Sequence, residues 1–287
     1  MLIYHDSRCV EYGSEMRPEQ PARIGKTVPY LQRAHAAWKW QVPDDLPEEK
    51  TLLRAHAPAL LKRLQVPRDF DADTPYFPGI YDHALRAVAA ALGATDAALK
   101  SHEKAFALMR PPGHHATADR AMGFCYLNQI AIAALYARQQ PGVERVAVWD
   151  FDAHHGNGTE AILEGREGFR FSSVHQFPGY PGTGTSSTAT CRNWTVAPHT
   201  PSAEHREALE KSWDAVVAFR PDLVLVSAGF DAYVHDPITA MTLEAEDFAA
   251  LGVWLRQAGF PTAAILEGGY STELPQLIET FLSAWEG

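Results

Sequence analysis

The sequence predicts an α/β fold: a single-domain, open and mostly parallel β-sheet flanked by helices on both faces. Short aliphatic runs alternate with longer stretches of helical periodicity along the chain, the pattern of repeated strand–helix–strand units. The segments after those runs carry most of the His, Gly and Asp residues. An open parallel sheet gathers its ligands outside the carboxyl ends of its strands, so a site is expected there. A length of 287 residues suits one large domain, and residues 1–287 are read as one.

The elements follow in order. Residues 80–100 form a helix, because Ala84, Val88, Ala91 and Leu92 recur at helical spacing and leave one buried face. Residues 105–108 are a short apolar strand, followed by the polar loop 110–119. A helix over 127–138 precedes a strand over 146–149 and a loop over 150–158. The strand 169–174 opens into the loop 176–187. Pro201 and Ser202, with Glu204 and His205 behind them, start a helix that runs to 219. The strand 223–227 ends in the loop 229–236, and a helix over 243–257 follows. The strand 263–266 leads to the loop 267–271 and a last helix over 273–285. Five polar loops thus share one rim.

Composition narrows the function. Hydrophobic residues at 46% and charged residues at 21% exclude a disordered chain. Lys and Arg number 25 against 35 Asp and Glu, a formal charge of −10. A field of that sign repels polyphosphate, so no nucleic-acid partner is expected, although a net count says nothing of a local basic patch. Cys9, Cys125 and Cys191 are too few and too scattered for a disulfide framework or a structural zinc knot. That implies a reducing compartment. There is no basic and apolar leader, and no apolar stretch approaches the roughly 20 residues of a membrane span. A cytoplasmic protein without a membrane partner is expected.

The most informative stretch is Val148-Trp149-Asp150-Phe151-Asp152-Ala153-His154-His155-Gly156-Asn157-Gly158. If the extended conformation persists past the strand, Asp150, Asp152 and His154 share a direction. A carboxylate and an imidazole offered to one cation suit zinc or another divalent transition metal. Asp-x-His alone favours a plainer reading, an N-cap aspartate and surface histidines ahead of a helix starting near Asn157. Three aligned polar residues behind an apolar strand, ahead of a Gly-rich turn, favour the metal. Asp231, in Ser227-Ala228-Gly229-Phe230-Asp231, supplies a third ligand from the same rim, which leaves an open position for water.

Two further segments add chemistry. Arg110-Pro111-Pro112-Gly113-His114-His115 sets two histidines on a rigid turn. Adjacent histidines point apart, so they suit places beside an activated water, where an imidazole takes and returns its proton. In Glu267-Gly268-Gly269-Tyr270 the glycines permit close backbone approach to a ligand. Tyr270 can offer its phenol O–H to an oxyanion.

Together these segments resemble the zinc-dependent histone deacetylase and acetylpolyamine amidohydrolase superfamily. Residues 110–116, 123–128, 150–159, 227–231 and 266–270 stand in that family's order and spacing, in versions that resemble its class II branch, including bacterial members. The resemblance implies the arginase/deacetylase-like fold. It implies a zinc-dependent amidohydrolase that removes acetyl or other acyl groups from the ε-amine of lysine. One catalytic Zn²⁺ per chain would be held by Asp152, His154 and Asp231. His115 would be the general base and acid, and His114 an electrostatic partner oriented by Asp150. Asn157 would face His115 where class I relatives have Asp, which leaves His115 less basic. Tyr270 would donate to the scissile carbonyl oxygen. Gly123, Phe124 and Tyr180 match the walls of an acyl-lysine tunnel, with Tyr180 adding a hydroxyl where the family usually has Phe. Structural K⁺ is implied at backbone carbonyls of Asp150, Asp152, His154, Ser173 and Val174, and farther away at Leu163, Arg166 and Phe169.

Departures bear on the substrate. The class II segment His-Pro-Glu-Arg-Pro reads here Arg17-Pro18-Glu19-Gln20-Pro21, at the tunnel mouth. Arg23 matches the arginine near the family's internal product channel. Polyamine-selective relatives carry an acidic gate where this chain has Ile238. An acyl-lysine protein or peptide is therefore favoured over an acetylated polyamine or other small amide. Asp73, in the loop 71–77, is expected to accept a hydrogen bond from the substrate backbone. Oligomeric state is not written in the sequence. A ureohydrolase-like binuclear manganese enzyme would need bridging carboxylates where this chain has Gly156 and Gly229. A non-catalytic acyl-lysine binding module would be expected to lose a metal ligand, the base or the Tyr, and all are present.

Overall fold

In the computed structural model, which describes residues 1–43 and 45–287, the chain begins with β1 (Leu2–Tyr4), α1 (Ala22–Ala34), β2 (Lys39–Gln41), α2 (Glu49–Leu52) and α3 (Pro58–Arg63). It continues through α4 (Ile80–Lys100), β3 (Ala105–Ala107), α5 (Gln129–Ala137), β4 (Val146–Asp150), α6 (Asn157–Leu163) and β5 (Phe169–Gln176). It ends with β6 (Cys191–Val196), α7 (Ser202–Phe219), β7 (Leu223–Ala228), α8 (Ala245–Ala258), β8 (Thr262–Leu266) and α9 (Leu274–Glu286). The strands form one sheet in the order β2-β1-β3-β8-β7-β4-β5-β6. Every pairing is parallel.

The central strands are apolar on both faces because helices cover both. All residues of β3, β4, β7 and β8 are buried. α4 and α5 pack on each other and against this central sheet. From the other side, Trp149 of β4 donates its indole N–H to Ser212 of α7 at 2.9 Å and packs on Trp213 and Trp254. α9 lies against α8 and α1. Among the described residues no helix is long and apolar enough to cross a membrane.

All five expected strands and all five expected helices form, with small shifts at their ends. β5 runs on to Gln176, and β3 stops at Ala107. The unexpected elements are β1, β2, β6, α1 and the short helices α2, α3 and α6. β1 and β2 are only three residues long, too short to show a period. β6 is an edge strand with a half-exposed sequence, Cys-Arg-Asn-Trp-Thr-Val, so it lacks the apolar run of a central strand. α1 carries Pro29 in its interior, which reads as a break. The five loops expected on one rim do leave the carboxyl ends of β3, β4, β5, β7 and β8.

Candidate active site

β4 stops at Asp150, and residues 151–154 turn instead of extending. This corrects the expectation that Asp150, Asp152 and His154 align as strand residues. Two side-chain turns bring the ligands round instead. Asp150 Oδ1 accepts the Asp152 N–H at 3.1 Å, and Asp152 Oδ1 accepts the His154 N–H at 2.9 Å. Asp231, just beyond β7, accepts the Ala153 N–H at 2.8 Å through Oδ1. Its other oxygen lies 2.9 Å from His154 Nδ1, and Asp152 Oδ1 lies 3.2 Å from the same nitrogen. One ligand atom from each of Asp152, His154 and Asp231 falls within 4.8 Å of the others. Gly268 donates its N–H to Asp152 Oδ2 at 2.7 Å. A Cβ there would collide with both carboxylates, so the close approach requires glycine.

Asp150 turns the other way, toward the histidine pair. His114 Nδ1 lies 3.1 Å from Asp150 Oδ2, and its Nε2 lies 3.7 Å from Asp152 Oδ1. His115 Nδ1 donates to Asn157 Oδ1 at 2.8 Å. That bond keeps the proton on Nδ1 and leaves Nε2 as the basic nitrogen. The rings of the two histidines are 4.0 Å apart.

A cavity of about 270 Å³ opens over His115, His154 and Tyr270. Gly123, Phe124 and Tyr180 form its walls, and Arg17, Pro18, Asp73 and Ile238 line its exposed mouth. Tyr180 meets His115 edge-on at 5.0 Å, and Phe124 meets Tyr270 at 5.8 Å. Gly123 and Phe124 both take positive φ, 56° and 67°. A side chain at Gly123 would run into His115 and Tyr180. Every residue expected at the substrate therefore reaches one cavity. Leu163, Arg166 and Phe169 do not line it; they lie where α6 gives way to β5.

Three comparisons bear on this geometry. Residues 17–285 match the family profile described as "Histone deacetylase domain". An uncharacterized protein of Synechocystis sp. is 40% identical over 92% of this chain and 90% of its own. A probable deacetylase of Archaeoglobus fulgidus is 33% identical over 95% of this chain and 81% of its own. The crystal structure of an acetylpolyamine aminohydrolase from Burkholderia pseudomallei superposes with a TM-score of 0.91 at 25% identity, over 100% of this chain and 99% of that one. The chain belongs to the histone deacetylase and acetylpolyamine amidohydrolase superfamily. Amide deacylation is the activity of that family, and it is zinc-dependent.

The charges of this deacetylase-family site fit a divalent cation. Burial opposes charge on His154, yet Asp231 and Asp152 outweigh it and hold its pKa well above the ordinary value. The same negative cradle, with two carboxylate oxygens and one imidazole nitrogen, matches the donor set of zinc. Burial also works against the His114 charge, and Asp152 and Asp150 reverse it, pushing the pKa up to about 10. His115 goes the opposite way: burial, His114 and His154 all push its pKa well below the ordinary value. Two adjacent imidazoles are thus shifted in opposite directions. Burial raises the Tyr270 phenol well above its usual range, so it stays a donor.

Several residues that support the site carried no assigned role in the sequence. Glu267 is fully buried at the end of β8, and its Oε2 accepts the N–H groups of Gly113 at 2.6 Å and His114 at 3.1 Å. Its Oε1 is buried without a partner, and burial pushes its pKa up to about 7. Asp236 accepts the Tyr270 N–H at 2.8 Å and the Ile238 N–H at 3.0 Å, which ties the Tyr to the gate. Glu19 pairs with buried Arg110 and sits 3.4 Å from Arg23. Arg23 donates to the carbonyls of Gly269 and Glu267 at 2.7 and 2.5 Å, 4.8 Å over the Tyr270 ring. Only an acidic residue closing an apolar strand marked Glu267 in advance. Glu19 was marked only as the Glu of the segment matched to His-Pro-Glu-Arg-Pro, and Asp236 had no signal that separates it from a surface acid.

Proposed function

We propose that the protein is a zinc-dependent lysine deacylase, with an acyl-lysine peptide or protein as substrate. The observation that carries this is the cluster of Asp152, His154 and Asp231, whose histidine shares one aromatic-walled cavity with His115 and Tyr270. Asp152, His154 and Asp231 hold the metal. When bound, Zn²⁺ supplies a Lewis acid that polarises the amide carbonyl and makes water acidic enough to attack near neutral pH.

The chain's own groups do the rest. His115 Nε2 takes a proton from the attacking water and gives it to the departing amine. Asn157 holds the His115 tautomer that permits this. His114, kept cationic by Asp152 and Asp150, supports the negative charge that develops beside it. Tyr270 Oη donates to the nascent oxyanion. Asp236 and Arg23 fix the backbone and ring that present that hydroxyl. Gly123, Phe124 and Tyr180 enclose the aliphatic stem of lysine, and Asp73 at the mouth accepts from the substrate backbone. Ile238 at the mouth brings no carboxylate to a second ammonium. A structural K⁺ is assigned to the carbonyls of Asp150, Asp152, His154, Ser173 and Val174; register pairing of Asp150 with Ser173 supports it. A second is assigned near Leu163, Arg166 and Phe169.

One observation favours an acetylated polyamine instead. Asp73 is a carboxylate on the cavity lining, exposed at the mouth, where it can meet a distal ammonium. Turnover of a matched panel decides: acetyl-lysine peptide, longer acyl-lysine peptides and acetylated polyamines, with zinc content measured on the same sample. Fast peptide turnover with about one zinc per chain is the expected result. Polyamine turnover alone would replace the lysine reading, and bound zinc without any turnover would replace the enzyme by a binding module.

A further inference from the structure

A second cavity, of about 420 Å³, lies at the other end of the sheet. Four arginines line it: Arg145 just before β4, Arg170 near the start of β5, Arg192 near the start of the edge strand β6, and Arg220 closing α7. Trp194 and Phe219 supply its aromatic surface. Arg192 pairs in register with Ser172, two residues on from Arg170. With side chains alternating along each strand, Arg170, Arg192 and Trp194 share one face of the sheet.

Among the described residues these cations have few counter-charges. None of the four guanidiniums is in an ion pair among the described residues, and those of Arg145, Arg192 and Arg220 donate no hydrogen bond there. Arg170 lies over the Phe219 ring at 5.3 Å and donates through Nη1 to the Ala189 carbonyl at 3.0 Å. Its Nε is buried and has no partner. Burial and the nearby Arg192 both disfavour its charge. Asp222 is close but spends Oδ2 on the N–H groups of Glu144 and Arg145, at 2.9 and 2.8 Å. The carboxyl end of α7 adds only about half a negative charge. Most of the positive charge is therefore unanswered, in a chain whose net charge is −10.

We propose that this cavity binds a small molecule carrying a diphosphate group. Guanidinium forks match phosphate oxygens in geometry and charge. Several of them around one concavity suit more than one phosphate. The volume lies in the range of small-molecule sites, and Trp194 offers a face to a planar base. Bare pyrophosphate and a nucleoside diphosphate share this chemistry, and their relative affinity tells them apart.

The test is calorimetric titration of the intact protein with inorganic pyrophosphate and with ADP, at low salt and without added magnesium. The expected result is one site per chain with a Kd below about 1 mM, weakened about tenfold or more in Arg192→Gln and in Arg145→Gln. Both positions are exposed, and both variants should keep wild-type deacylase turnover, which reports an intact fold. Tighter ADP binding would identify a nucleotide; equal binding would identify the diphosphate alone. No saturable binding of either probe overturns the proposal. Binding unchanged in both variants also overturns it, because the anion would then sit elsewhere. Saturable binding of a single-stranded oligonucleotide through the same arginines, with neither small anion bound, overturns it in favour of a nucleic-acid surface.

Discussion

The two ends of the sheet handle charge in opposite ways. At the carboxyl ends of β3, β4, β7 and β8, Asp150, Asp152, Asp231, His114 and Glu267 are almost wholly buried. Each is met by a charge or a backbone N–H. At the amino ends of β4, β5 and β6, the arginines stay exposed or half-buried and mostly unmet. Burying an ionised group costs several kcal/mol unless its partners are well placed. A buried, interlocked cluster is therefore poor evidence for stability and good evidence for chemistry. The exposed cluster costs little and waits for a ligand. Perturbing the first end should change turnover and metal content; perturbing the second should change neither.

The largest effect tests the metal cradle. Asp231→Ala removes a ligand and the acceptor of the Ala153 N–H, so zinc content should fall to near zero and turnover below detection. Retained zinc by elemental analysis would break the ligand assignment. His115→Ala should cost about 10²–10⁴ in kcat with zinc unchanged. Tyr270→Phe should cost about 10²–10³ in kcat with the metal again in place. A wild-type rate in either variant would remove that residue from the proton or oxyanion role.

Glu267 sharpens the comparison through pH. Burial raises its folded pKa to about 7, against an ordinary value of 4.5. The native state thus keeps a proton that the unfolded chain releases. This contribution to stability is present below about pH 4.5 and lost as pH rises through about 7. Glu267→Gln cannot titrate. Between about pH 5 and about pH 8, the stability of the variant relative to the wild type should move in the variant's favour by roughly 3 kcal/mol. Urea unfolding at the two pH values measures it, and no relative change would mean that Glu267 is ionised throughout. The smallest effect belongs to the other end. Arg145→Gln should leave stability within about 0.5 kcal/mol and kcat unchanged.

The legibility of the fold follows burial. β4, β7 and β8 are covered on both faces, so they are written as unbroken apolar runs. β6 has one open edge, and β2 is both an edge strand and only three residues long. Such strands are specified by their neighbours, and propensity alone says little about them. In the site, the grouping of Asp152, His154 and Asp231 was readable because Asp-x-His and a distant Asp follow strands that end on one rim. Their geometry was not readable. Extended alternation suggested a shared face for Asp150, Asp152 and His154, whereas side-chain turns swing two of them toward Asp231 and one to His114.

The sequence alone was enough for the strand–helix alternation, the functional rim and the identity of the candidate ligands, because apolar periodicity and chemically rare residue combinations are local properties. Tertiary structure decided the rest. It pushed the pKa of His114 up and that of His115 down, though they are adjacent and identical in type, because one faces two buried carboxylates and the other is buried beside His114 and His154. It recruited Glu267 to the backbone of Gly113 and His114, Asp236 to that of Tyr270, and Glu19 to Arg110. It gathered four arginines, separated by up to a quarter of the sequence, into one cavity. Charge and pKa are set by what is brought near through space, and distance along the chain does not encode that.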